Sequence, residues 1–271
     1  MKKIFLFVFL TNILSPAFSQ QYGEVGIFVG GTYFMGDVYS DVSKNTHFTF
    51  GVDYRYNFGS RWAWRTDFKY GEVSGNDANS SVDFEIQRNL SFTNSYYQLG
   101  TFVEFNFLNF KPYKPQSYFQ DADVFTPFVY VGFAMFYHNP KAILAGNEYE
   151  LQPLQTEGVK YSKVGVAMPF GFGFKFRLTD RLLLSVHGEL APTFTDYLDD
   201  VSTRYPVDPS SLTKTAKDLS NRSLESQGIN NSSWGAQRGT EYNNDWLTSA
   251  VITLNFNLKK NPGNCHFNPN K

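Results

Sequence analysis

From Phe48 to Tyr70 apolar and polar residues take turns one for one. Phe48, Phe50, Val52, Tyr54 and Tyr56 share one parity, and Thr49, Gly51, Asp53, Arg55 and Asn57 the other. After Phe58-Gly59-Ser60 the pattern resumes: Trp62, Trp64, Phe68 and Tyr70 stand against Arg61, Ala63, Arg65, Asp67 and Lys69. A repeat of two means β-strands, because successive side chains leave opposite faces of a sheet. The Gly-containing break between the runs makes them a hairpin.

The same pattern predicts six more strands. They are Tyr22 to Phe34, Tyr97 to Phe107, Phe128 to Tyr137, Val164 to Arg177, Arg181 to about Phe194, and Trp246 to Leu258. The fifth of these eight strands in chain order is followed by a loop over 138–160, and the seventh by a longer one over 196–245. In the latter Asp208-Pro209 is placed to cap a short helix carrying Leu212, Ala216 and Leu219 on one side. A third connection, 108–126, holds Pro112 and Pro115, and Ser74 to about Asn89 reads as a polar loop.

Which parity faces inward is the question that follows. One parity is rich in aromatics; the other holds Asp53, Arg55, Arg65, Asp67, Lys69, Glu104, Lys175, Arg177, His187 and Glu189. A soluble sandwich would bury the aromatics. A membrane barrel turns them to lipid and fills its lumen with the polar set. Eight strands is an even number, and most are 10 to 14 residues long, enough to cross a bilayer when tilted. The turns after the second and sixth strands are tight, whereas those after the first, third, fifth and seventh are longer. This is the asymmetry of outer-membrane barrels, whose short turns are periplasmic. The expectation is an all-β, eight-stranded antiparallel transmembrane outer-membrane β-barrel over residues 20–258. In a ring of that size, side chains fill the interior, so a pore is disfavoured.

Composition supports this choice. Aromatics make up 18% of the 271 residues, with 28 Phe and 17 Tyr, while mean hydropathy is only −0.35. A formal charge of −1 gives no electrostatic case for nucleic acid. Met1-Lys2-Lys3, the apolar run Ile4 to Leu14, and Ala17-Phe18-Ser19 read as a cleaved signal peptide over 1–19, which implies export to the cell outer membrane. The lone Cys265, in a polar tail over 259–271, has no intramolecular disulfide partner.

Candidate chemistry is sparse, and no cofactor is implied. Ser185, His187 and Glu189 supply the parts of a hydrolase triad. On one strand, however, alternate residues lie about 7 Å apart, too far for direct hydrogen bonds, so a polar lumen network is the plainer reading. Asp196, Asp199 and Asp200 lack the spacing of a calcium loop and read as a solvated turn.

Specific strings add a resemblance. They include Met35-Gly36-Asp37-Val38, Arg88-Asn89-Leu90-Ser91-Phe92, Glu104-Phe105-Asn106-Phe107, Thr156-Glu157-Gly158, Thr195-Asp196-Tyr197-Leu198-Asp199-Asp200-Val201-Ser202 and Arg238-Gly239. Together they resemble the PorG-like outer-membrane β-barrel family of the type IX secretion system. The resemblance implies a non-enzymatic barrel that anchors or scaffolds a protein-secretion and gliding assembly. Its implied partners are outer-membrane lipid and a periplasmic ring made of a lipoprotein and its companion subunit. The 108–126 connection, with Lys111, Tyr113, Lys114, Tyr118 and Phe119, is the candidate docking surface. A barrel lipid hydrolase and a barrel of purely structural role are the alternatives.

Overall fold

The computed structural model describes residues 22–110, 124–179, 181–223 and 234–258. The expected signal peptide, the docking candidates Lys111, Tyr113, Lys114, Tyr118 and Phe119, and the tail with Cys265 lie outside the described residues.

Among the described residues ten strands form: β1 (Tyr22–Met35), β2 (His47–Asn57), β3 (Trp62–Asn76), β4 (Ser91–Asn106), β5 (Phe125–Leu144), β6 (Asn147–Glu150), β7 (Val164–Ala167), β8 (Phe170–Arg177), β9 (Leu182–Pro192) and β10 (Trp246–Asn257). All pairings are antiparallel, and β1 pairs with both β2 and β10. The sheet therefore closes on itself, and no wall strand presents an unpaired edge. The ring has eight wall positions because β7 and β8 share one. They are parted at Met168-Pro169, where proline has no N–H to give the ladder. The pairing runs on through the break, since Gly132 N–H donates to the Pro169 carbonyl at 2.8 Å. The predicted single strand from Val164 to Arg177 is thus one wall position in two pieces.

The wall is inverted relative to a soluble core. On β8, Phe170, Phe172 and Phe174 are exposed, Phe172 to 64%, while Lys175 between Phe174 and Phe176 is buried. On β5 the outward row Phe125, Val129, Val131, Phe133, Met135 and Tyr137 is exposed throughout. From 125 to 137 is twelve residue steps. At about 3.4 Å each and a tilt of about 40°, the row rises about 30 Å, the thickness of a bilayer's hydrocarbon core. Aromatic residues mark both ends. Near the tight turns Trp62 packs on Phe105 at 4.9 Å and Phe125 on Phe176 at 5.1 Å. Near the long loops Phe50, Tyr70 and Tyr97 form a row, with ring centroids 5.3 and 5.1 Å apart.

The larger departures from the expected strand boundaries lie at the loop end, save the start of β5, which lies at the tight-turn end. β3 runs on to Asn76, β4 begins at Ser91, and β5 begins at Phe125 and continues to Leu144 before folding back as β6. The expected 138–160 loop is thus partly wall. Its turn places Ala145 and Gly146 at φ 51° and 83°, both residues left-handed as a two-residue hairpin requires. An alanine at the first position hid it. Residues 83–88 form a short helix ended by Asn89 at φ 56°.

The loops do not dangle. Phe34, Val38, Val73, Leu90, Phe92, Tyr96, Phe136, Leu151, Leu198, Val201, Leu219 and Leu247 make one apolar cluster. It draws on β1, β3, β4, β5 and β10 together with the 36–46, 77–90, 151–163 and 193–245 connections. Asp208 caps the short 3-10 turn Pro209–Ser211 as expected, while the helix Lys214–Ser220 is N-capped by Thr213, with Ala216 buried and Leu219 packed into the cluster. The loop end is a folded cap.

Candidate functional site

Two polar networks lie inside, one above the other. The lower fills the lumen. Nine of the ten predicted lumen residues are buried there: Asp53, Arg55, Arg65, Asp67, Lys69, Glu104, Lys175, His187 and Glu189. Arg177 is the exception, half-buried at the tight-turn rim where β8 ends.

Register explains how the charges sort. Asp53 stands opposite Asp67, and Arg55 opposite Arg65. Like charges placed so repel each other, so Arg55, Arg65 and Asp67 each turn aside to a partner of opposite sign and Asp53 turns to an amide. Glu104 is the hub, with 0% exposure. One of its oxygens takes Arg65 Nε at 2.8 Å; the other takes Arg55 Nε at 2.9 Å and Lys175 Nζ at 2.6 Å. Arg55 also reaches Glu24 at 3.0 Å, Arg65 reaches Asp67 at 2.5 Å, and the Asn255 amide donates to Asp53 at 2.8 Å. Lys69 on β3 and Glu189 on β9 meet at 2.6 Å. Those strands are four places apart in the ring of eight, so this bond spans the lumen from wall to wall.

Inward aromatics complete the filling. Phe102 and Tyr130 lie 4.1 and 4.9 Å from the Arg65 guanidinium carbon, and Phe128 lies 4.4 Å from Lys175 Nζ. Lumen glycines make the space: a Cβ on Gly171 would sit 2.6 Å from the Tyr130 hydroxyl. Sequence reasoning missed Glu24, Phe102, Phe128 and Tyr130. Glu24 sits on the polar parity of its strand and was within reach, whereas inward aromatics look like any others in an alternating run.

Ser185, His187 and Glu189 all point inward but form no relay. Ser185 Oγ and His187 Nδ1 have no hydrogen-bond partner. The His187 ring packs edge-on against Tyr130 at 5.4 Å, and Glu189 is taken by Lys69.

The upper network stitches the cap. Arg88 grips Asp77 with two hydrogen bonds, at 2.8 and 3.0 Å, and donates to the carbonyls of Arg238 and Asp37. Arg238 in turn donates to Glu157 at 3.0 Å and to the Asp200 carbonyl at 2.6 Å. Glu157 accepts the backbone N–H groups of Ser202 and Thr203. Asp199 accepts from the N–H groups of Val38 and Val201, each at 2.9 Å. Asp245 accepts from Leu198 N–H at 2.8 Å. Thr156 and Tyr161 donate their hydroxyls to Asp200.

The solvated turn expected at Asp196, Asp199 and Asp200 is therefore wrong. All three are buried: Asp199 accepts backbone N–H groups that the folded loops would otherwise leave unpaired, and Asp200 accepts the hydroxyls of Thr156 and Tyr161. Burial pushes Asp200 up to about 6, even with Arg238 beside it, and Asp196 up to about 7. It also raises Asp199 and Asp245 well above the usual carboxylate range, with neighbouring carboxylates adding to the effect. Among the described residues no group of three or more His, Cys, Asp or Glu is arranged to hold a metal ion.

A signal for this network was present in the sequence. Asp37, Arg88, Glu157, Asp199, Asp200 and Arg238 each belong to a string that carries the family resemblance, and these strings meet at one place in the cap. A family model described as a domain of unknown function (DUF6089) matches residues 2–212. The chain belongs to that family. No curated protein matches it.

Among solved structures the chain is similar to Ail, the attachment invasion locus protein of Yersinia pestis, in complex with the heparin analogue sucrose octasulfate. The identity is 10%, over 88% of this chain and 99% of that one, at a TM-score of 0.43. Neisserial surface protein A gives 9% identity over 88% and 99%, at 0.41. The outer membrane enzyme PagL gives 12% over 85% and 97%, at 0.34.

Proposed function

We propose that this chain spans the outer membrane as a plugged, non-enzymatic barrel that anchors a type IX protein-secretion and gliding assembly by contacting its periplasmic ring. The observation that carries the membrane part is the inversion of the wall. An exposed apolar surface about 30 Å tall, edged by aromatic residues, surrounds a charged interior, and only lipid makes that arrangement favourable. The same interior limits what the barrel does. With Lys69 and Glu189 joined across it and the cap folded above, solutes have no path through. Ser185 Oγ faces packed side chains, away from acyl tails. What remains for function is the surface.

The short turns, on this reading, are periplasmic, together with the 107–124 connection and the chain ends that flank β1 and β10. A ring lipoprotein and its companion subunit would meet the barrel there. The resemblance supports this choice of partner, and the meeting of its strings in one cap network supports the resemblance.

Deleting the gene is expected to abolish release of secreted proteins while leaving outer-membrane lipid composition unchanged. Crosslinking in native membranes should capture ring subunits. Normal secretion, with no ring subunit among the crosslinked partners, refutes the assembly role. Replacing His187 with alanine should leave secretion and lipid composition unaltered; a change in lipid acylation would revive the hydrolase reading.

A further inference from the structure

A polar groove of about 290 Å³ opens on the outside of the barrel wall at the loop end. Its floor is set by register. Phe50, Tyr70, Tyr97 and Tyr137 pair in one row across β2, β3, β4 and β5. Four residues further along each strand, Ser74, Thr93 and Lys141 form a parallel row. They share the outward parity of the tyrosines, so they face whatever surrounds the barrel. Four steps along a strand tilted about 40° put this row about 10 Å above the aromatic girdle. That is the depth of the headgroup layer and just beyond it.

The loops shape the groove's rim. The short helix Val42–Asn45 brings Lys44 to one side, and the Asn45 amide donates to Ser74 Oγ at 2.9 Å, tying the helix to the wall. Asn79 and Glu148 close the other sides. Lys141 holds Glu148 at 2.7 Å, but both side chains are substantially exposed, and an exposed pair of this kind yields readily to another partner. Two ammonium groups beside several hydroxyls and amides make a set that suits a phosphate carried on a sugar: the lysines take the charge, and Ser74, Thr93 and Asn79 take ring hydroxyls.

We infer that this groove binds the phosphorylated saccharide headgroup of an outer-leaflet glycolipid whose acyl chains lie against the aromatic wall beneath. The inference rests on the membrane reading above. A diacyl phospholipid carries its phosphate close to the girdle, while a sugar headgroup extends to the Lys44 and Lys141 level.

The test uses the full chain in phosphatidylcholine vesicles doped with lipid A, followed by detergent extraction and native mass spectrometry of the retained lipid. Wild type should retain lipid A over phosphatidylcholine. The K44Q/K141Q variant should lose about tenfold in retention, while K214Q, away from the groove, should lose none. Equal retention in wild type and the double variant overturns the inference, with insertion itself checked by protease protection. Displacement of lipid A by inorganic phosphate or by a soluble sugar phosphate overturns the lipid source and leaves a soluble anion as the ligand. Failure of wild type to enter vesicles at all overturns the membrane reading and this inference with it.

Discussion

Replacing Glu104 with glutamine should cost more than any other single isosteric change in the lumen. The carboxylate is fully buried and faces Arg55, Arg65 and Lys175 at 2.6 to 2.9 Å. At an effective dielectric of about 20, each such pair gives about 4 kcal/mol of attraction. Desolvation of the ions and repulsion among the three cations offset most of the total. In E104Q the offsetting repulsion stays and the attraction goes. Arg55 still has Glu24, and Arg65 still has Asp67. Lys175 is left with the Asn106 side-chain oxygen at 3.0 Å and the Phe128 ring. A buried cation without its counter-ion places the loss at about 3–5 kcal/mol. Equilibrium unfolding in urea, followed by tryptophan fluorescence in lipid vesicles, measures it directly. The Lys175→Met change made on top of E104Q should restore part of the loss, with a coupling of about 1–3 kcal/mol. A loss below about 1 kcal/mol for E104Q, or additivity within about 0.5 kcal/mol, would refute the hub assignment.

Two further outcomes concern the cap. Arg238→Ala removes the side chain that joins Glu157, the Asp200 carbonyl and the Ser220 carbonyl. It should make the 151–163 and 193–223 segments sensitive to protease while the barrel wall stays protected; uniform protection of both would refute this. Asp200 and Asp196 have folded pKa values above the 3.8 of a free side chain. Their stabilising contribution is therefore fully present below about pH 3.8 and lost as pH rises through about 6 to 7. For Asp200 the rise to about 6 corresponds to about 3 kcal/mol. Hydrogen exchange in the cap, corrected for intrinsic rates, should be faster relative to the wall at pH 8 than at pH 5, and D200N should flatten that difference. A cap that tightens with rising pH would contradict the assignment.

The sequence alone carried the wall. Alternation at Phe48–Tyr56, Trp62–Tyr70 and Phe170–Phe176 fixes strands whatever surrounds them, because side-chain direction in a strand is a local property. The charged parity named nine buried lumen residues for the same reason. Arg177 shares that parity, yet it falls where the wall ends and so meets solvent, which depends on where the neighbouring strands stop. Local rules also failed at Ala145-Gly146, where an alanine accepts a left-handed conformation because β5 and β6 pair around it.

What only the tertiary structure decided is which charges meet. Lys69 and Glu189 are 120 residues apart, and nothing in either strand names the other; closure of an eight-position ring puts them on facing walls. Asp199, Asp200 and Asp245 look like surface acids in a polar stretch, and their type and spacing alone place them in solvent. They are buried because the loops collapse onto Phe34, Phe92 and Leu219, which puts backbone N–H groups and hydroxyls out of reach of water: Asp199 and Asp245 accept the N–H groups, and Asp200 the hydroxyls of Thr156 and Tyr161.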